Sequence, residues 1–113
     1  DDPEAMERAI AENPDAAWEG RLAQAAAYLG LGRHEQALGT VAALIASLET
    51  VSRDDFMNRQ VLDLARGLYV KALWQAGSQA QALGEARAVR PMLRDGLLPA
   101  ILVDEVLAEA GRR

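Results

Sequence analysis

At 113 residues, with a formal net charge of −5 and no cysteine, the chain suits one domain with its own core and excludes disulfides, thiol catalysis and cysteine-ligated metal. The acidic balance argues against a nucleic-acid surface, which needs a basic face to displace counterions. Half the residues are hydrophobic but only 4 % are aromatic, so the apolar mass is mostly Ala, Leu and Val, which favours helices over sheet.

The pattern predicts a first helix from Pro3 to Asn13, with Pro in the first turn and Ala5, Met6, Ala9 and Ile10 on one stripe. Asn13-Pro14-Asp15 ends it and can start the next. A second helix is expected from about Asp15 to Leu29, using Trp18, Leu22, Ala25, Ala26 and Leu29, and Gly30-Leu31-Gly32 closes it. A third runs from about His34 to Leu48, with Ala37, Leu38, Val41, Leu44, Ile45 and Leu48 inward.

Ser52-Arg53-Asp54-Asp55 reads as an N-cap with an acidic first turn, which suits the helix dipole. The fourth helix, about Arg53 to Ala76, is apolar on more than one side. Phe56, Met57, Val61, Leu62, Leu64, Leu68, Tyr69, Leu73 and Trp74 cannot share one stripe, so this is expected to be the central, most buried element. Gly77-Ser78 ends it, and Ser78 with Gln81 has the spacing of a capping box for a fifth helix, about Gln79 to Leu93. Pro91 predicts a kink or break near Arg90. After the turn Asp95-Gly96, a last helix from Pro99 to Ala110 carries Ile101, Leu102, Val103, Val106 and Leu107 and ends at Gly111.

The chain matches itself at an offset of 45 residues, from Gly32 to Gly77. Gln36-Ala37-Leu38-Gly39 answers Gln81-Ala82-Leu83-Gly84, and Arg21/Arg66, Ala27/Ala72, Ala43/Ala88 and Leu48/Leu93 also agree. Helical hairpins repeated in this way bury a continuous core that none could close alone.

Around this block the sequence resembles the tetratricopeptide repeat (TPR) family, whose pattern has a Tyr in the first helix, a Gly-containing turn, Ala-x3-Phe in the second helix and a terminal Pro. Tyr28, Gly32, Ala37 and Val41 match, with Val in place of the aromatic, and Leu73, Gly77, Ala82 and Ala86 form a more degenerate copy. Residues 7–14 resemble the tail of a preceding repeat. The Trp and Leu-Gly of the first helix are absent, and the spacing exceeds the family's roughly 34 residues.

The resemblance implies an all-α fold of TPR-like stacked antiparallel helical hairpins, about six helices with a C-terminal capping helix. It divides the chain into a half repeat at 3–14, repeats at 15–49 and 52–95, and a capping helix at 98–111. It also implies a concave groove lined by the first helix of each repeat, here Leu22, Ala26 and Leu29 followed by Gly67, Lys71, Trp74 and Gln75. That mostly apolar groove would hold a peptide or helix of a partner protein. The alternative puts Trp74 and Leu29 in the core or beneath the last helix. Some relatives clamp a C-terminal carboxylate with Lys and Asn; Leu22 and Ala26 stand at those positions, so that clamp is not expected.

No catalytic, metal or cofactor constellation is expected. His34 is the single histidine, at a helix start, and suits packing or capping. Gly30-Leu31-Gly32 follows no strand and lacks Gly-Lys-Ser/Thr, so it is a turn and not a phosphate loop. Ser47, Ser52 and Ser78 lack a nucleophile context. Asp54-Asp55 and Asp104-Glu105-Glu109 read as solvated surface. The expected function is therefore a non-enzymatic protein-interaction module, scaffold or adaptor. The alternative is a spacer or self-association domain docking through the last helix as a homo-oligomer.

No apolar run reaches the roughly 18 residues of a membrane span, and no signal peptide is visible. The chain begins Asp1-Asp2-Pro3 without an initiator Met, which suggests a processed product or a part of a longer protein. Heavy alanine use, and arginine at every basic position except Lys71, fit a GC-rich bacterial genome and leave cytoplasm and periplasm both open.

Overall fold

The computed structural model describes residues 2–12, 17–50 and 56–112, and its regular structure is helical throughout. The helices are α1 (Pro3–Glu12), α2 (Ala17–Gly30), α3 (His34–Glu49), α4 (Phe56–Gln75), α5 (Gln79–Val89) and α6 (Leu98–Gly111), with a one-turn 3₁₀ segment at Arg90–Met92. The expected Asn13-Pro14-Asp15 boundary, the Ser52-Arg53-Asp54-Asp55 cap and the Met57 side chain lie outside the described residues. The smallest dimension, 22 Å, is that of two helix layers of about 10 Å each.

The local signals act as their chemistry requires. Asp2 Oδ1 accepts the Glu4 N–H at 3.0 Å, and Pro3 takes the first helical position, where a missing N–H costs nothing. Pro91 cannot donate within a helix, so α5 stops at Val89 and the chain tightens into the 3₁₀ turn.

The two interhelical turns are copies in hydrogen bonding as well as in sequence. After α2, the Gly32 N–H donates to Leu29 O (3.1 Å) and the Arg33 N–H to Tyr28 O (2.9 Å). After α4, the Gly77 N–H donates to Trp74 O (3.2 Å) and the Ser78 N–H to Leu73 O (3.0 Å). Both glycines are left-handed, with φ of +75° and +90°, which makes each turn a Schellman cap. The expected capping box at Ser78 does not form: its side chain makes no cap bond. Its backbone N–H is held by Leu73 O, and the Gln81 amide instead reaches Tyr69 Oη at 3.5 Å.

The helices pack as stacked hairpins. α2 lies against α1 and α3, and α4 touches α2, α3, α5 and α6. Among the described residues the α3 and α5 backbones do not approach each other closely, while α2 meets α4 and α4 meets α6, so those three helices form one continuous layer. α4 is the shared element. Val61, Leu62, Ala65 and Leu68 enter a first core with Leu22, Ala25, Val41, Leu44 and Leu48. Val70, Leu73 and Trp74, on a nearly opposite face of the same helix, enter a second with Ala82, Ala86, Val89, Ala100, Val103 and Val106. Leu102 of α6 belongs to the first core, which ties the capping helix to both.

At Gly67 α6 comes close to α4. A Cβ built there would lie 3.1 Å from both the Cα and the O of Pro99 and 3.4 Å from Leu102 Cδ1. A side chain at this position would hold the two helices apart.

Three expected inward positions differ. Phe56, at the first turn of α4, is 53 % exposed on the rim of a hollow that it lines with Met92 and Leu97, themselves exposed. Ala9 and Ala26 are exposed as well. α1 packs against α2 alone, so one narrow stripe suffices, and Ile10 carries it.

α1 is also held by polar contacts. Gln24 is 2 % exposed, and its amide donates to Pro3 O (3.1 Å) and Glu7 Oε2 (2.9 Å) while its Oε1 accepts from Arg21 Nη1 (2.8 Å). Arg21 pairs with Glu7, its Nη2 donating to Oε1 at 3.0 Å. The hydrogen bonds from Arg21, then from Gln24, lower the Glu7 carboxyl from an ordinary 4.5 to about 2.

Candidate functional site

The residues expected to line a groove divide into two groups. Lys71, Trp74 and Gln75 come together at the C-terminal end of α4, where they border an open hollow of about 580 Å³. His34 and Gln79, at the starts of α3 and α5, complete one side, and Glu105, Val106 and Glu109 of α6 the other. Leu22, Ala26 and Leu29 are not part of it. Leu22 is 9 % exposed in the first core, Leu29 is half-buried against that core, and Ala26 is exposed on α2. Gly67 lies under Pro99.

Trp74 is 8 % exposed, so the indole is a core residue whose edge borders the hollow. The Schellman turn at Gly77 fixes that edge, since Trp74 O accepts the Gly77 N–H. Lys71 Nζ stands 3.7 Å from Glu105 Oε2 across the α4–α6 contact, and both side chains stay partly in water. His34 Nδ1 is buried and meets no hydrogen-bond partner among the described residues.

Two acidic residues expected as solvated surface on α6 have defined partners. Glu105 faces Lys71, and Asp104 Oδ1 accepts from Arg90 Nε at 2.7 Å. Arg90 also pairs with Asp95. The hydrogen bonds that Arg90 donates to Asp104, then to Asp95, raise the guanidinium pKa further above its already high value and tie α6 to the 3₁₀ turn. Among the described residues no group of three or more His, Cys, Asp or Glu could hold a metal ion, and no helix is long and apolar enough to cross a membrane.

A second hollow, of about 310 Å³, opens at the other end of α4. Phe56, Met92 and Leu97 line it, all exposed, together with Arg59, Arg66, Arg94 and Asp63. Asp63 lies 3.9 Å from Arg66. Burial raises its pKa, against the opposing pull of Arg66 and Arg59. Periodicity could not assemble this group, because the segment after the 3₁₀ turn reaches it only through the tertiary fold.

Comparison with family models, with curated proteins and with solved structures finds no match.

Proposed function

We propose that the chain is a TPR-like, non-enzymatic interaction module, a scaffold or adaptor within a larger protein or assembly, that binds a peptide or helix of a partner protein. The observation that supports it is the convergence of Lys71, the edge of Trp74 and Gln75 at an open hollow between the C-terminal end of α4 and α6. Its volume suits one or two partner side chains. Because Trp74 is buried to its edge, the anchor enters from the partner, and Lys71, Glu105 and Gln75 set its polar orientation.

The test is selection of a displayed peptide library on the folded chain, followed by calorimetry with Lys71→Glu and Gln75→Arg. A selected peptide should lose about tenfold or more in affinity on Lys71→Glu. A library that yields no binder tighter than about 100 µM, or binders indifferent to both changes, contradicts the reading.

Self-association through α6 retains one supporting observation. Leu102, Val103 and Val106 face the cores, but Leu98 and Ile101 are 55 % and 45 % exposed. Sedimentation at micromolar concentration distinguishes it: a strict monomer removes this reading.

A further inference from the structure

The hollow at the N-terminal end of α4 has a chemistry opposite to the chain's own. Among the described residues lining it, three guanidinium groups, Arg59, Arg66 and Arg94, accompany one carboxylate, Asp63, in a protein whose net charge is −5. Arg59 and Arg94 make no ion pair among the described residues. Between these cations stand Phe56 and Met92, each 53 % exposed, and Leu97, 48 % exposed. Scattered apolar side chains on a surface are ordinary, but three meeting in one cleft rimmed by arginine are a docking feature.

We propose that this hollow docks an acidic segment of a partner protein that carries apolar side chains, its carboxylates on Arg59 and Arg94 and its apolar groups against Phe56, Met92 and Leu97. Guanidinium forks donate paired hydrogen bonds to carboxylates, and the apolar floor gives such a segment an advantage over a bare anion. The site is separate from the Lys71 hollow: its lining on α4 runs from Phe56 to Arg66, and that of the other from Lys71 to Gln75, so the two centres lie about 15–20 Å apart along the helix.

A second copy of this chain fits poorly. Isologous pairing would set three arginines against three arginines. A head-to-tail pairing needs an exposed acidic surface with apolar groups; outside the hollow the exposed large hydrophobic residues among the described ones are Leu31, Leu98 and Ile101, and the acids nearest the last two on α6, Asp104 and Glu105, already pair with Arg90 and Lys71.

The probe is a synthetic peptide of about fifteen residues with Glu and Leu at helical spacing. Its controls are the same peptide with Lys for Glu, the same peptide with Ser for Leu, and inorganic polyphosphate, each titrated calorimetrically into the full chain. The Glu/Leu peptide should bind at least about tenfold more tightly than each control. The chain carrying both Arg59→Glu and Arg94→Glu should lose at least about tenfold, and Asp63→Asn should gain affinity severalfold. Lys71→Glu should leave this binding unchanged, which separates it from the other hollow. The two arginines are exposed and make no ion pair among the described residues, so their replacement tests charge and not folding, and Asp63→Asn tests the same charge in the opposite direction. No binding of the Glu/Leu peptide, equal binding of the Ser control or polyphosphate, undiminished binding by the double variant, or self-association abolished by Arg59→Glu would each overturn the proposal.

Discussion

α4 carries an aromatic residue near each end, and the two have opposite fates. Trp74 is 8 % exposed, inserted between α5 and α6, whereas Phe56 is 53 % exposed on the rim of a hollow. The charges differ in the same way. The Trp74 end has Lys71 beside Glu105 and Glu109, and the Phe56 end has three arginines around Asp63. One helix thus offers a nearly balanced, structured hollow at one end and a cationic, apolar one at the other. Residue type did not decide which aromatic became core; the placement of α6 across the C-terminal half of α4 did.

The largest expected effect follows from that contrast. Trp74→Ala should cost about 3–5 kcal/mol in urea unfolding, while Phe56→Ala should stay within about 0.5 kcal/mol. Equal losses at the two positions would break the comparison. Next comes the contact that lets α6 cover Trp74. Gly67→Val places a side chain against the Pro99 backbone and should cost about 1–3 kcal/mol, with added exchange of the α6 amides with solvent. An unchanged α6 would mean that this close approach is dispensable.

The two turns provide a finer test. Gly32→Ala and Gly77→Ala each force a left-handed conformation on an L residue and should each cost about 1–2 kcal/mol, with similar values if the repeats are equivalent. The smallest effect lies outside α4, at α1. Glu7 has its carboxyl lowered from 4.5 to about 2, so its contribution is fully present above pH 4.5 and is lost as pH falls towards 2. Glu7→Gln should remove that dependence, leaving less difference between pH 5 and pH 2 in the unfolding midpoint than the unaltered chain shows.

Some of this was legible in the sequence for direct physical reasons. Gly32 and Gly77 mark positions where only glycine takes a positive φ without strain, and the matching Ala37 and Ala82 are both fully buried. The apolar surplus of α4 correctly indicated a helix buried on several sides, because two stripes on nearly opposite faces leave no single polar face. Other features were not legible. Ser78 and Gln81 have capping-box spacing, but the Schellman turn that Gly77 imposes takes up the Ser78 N–H first. The seven expected groove residues could not be separated from sequence. Leu22 joins the first core and Trp74 the second, and only tertiary packing brings Glu105 and His34 beside Lys71. The arginine hollow assembles residues from two segments with no shared periodicity, so no local signal marked it.

The most direct test of the binding account is amide chemical-shift mapping on the isotope-labelled chain, titrated with a peptide selected from the library. The account predicts saturable shifts gathered at Lys71, Gln75, Gln79 and the Glu105–Glu109 turn of α6, with α1 unaffected. Shifts confined to α1 or to the outer face of α3, or no saturable shift at all, would contradict it.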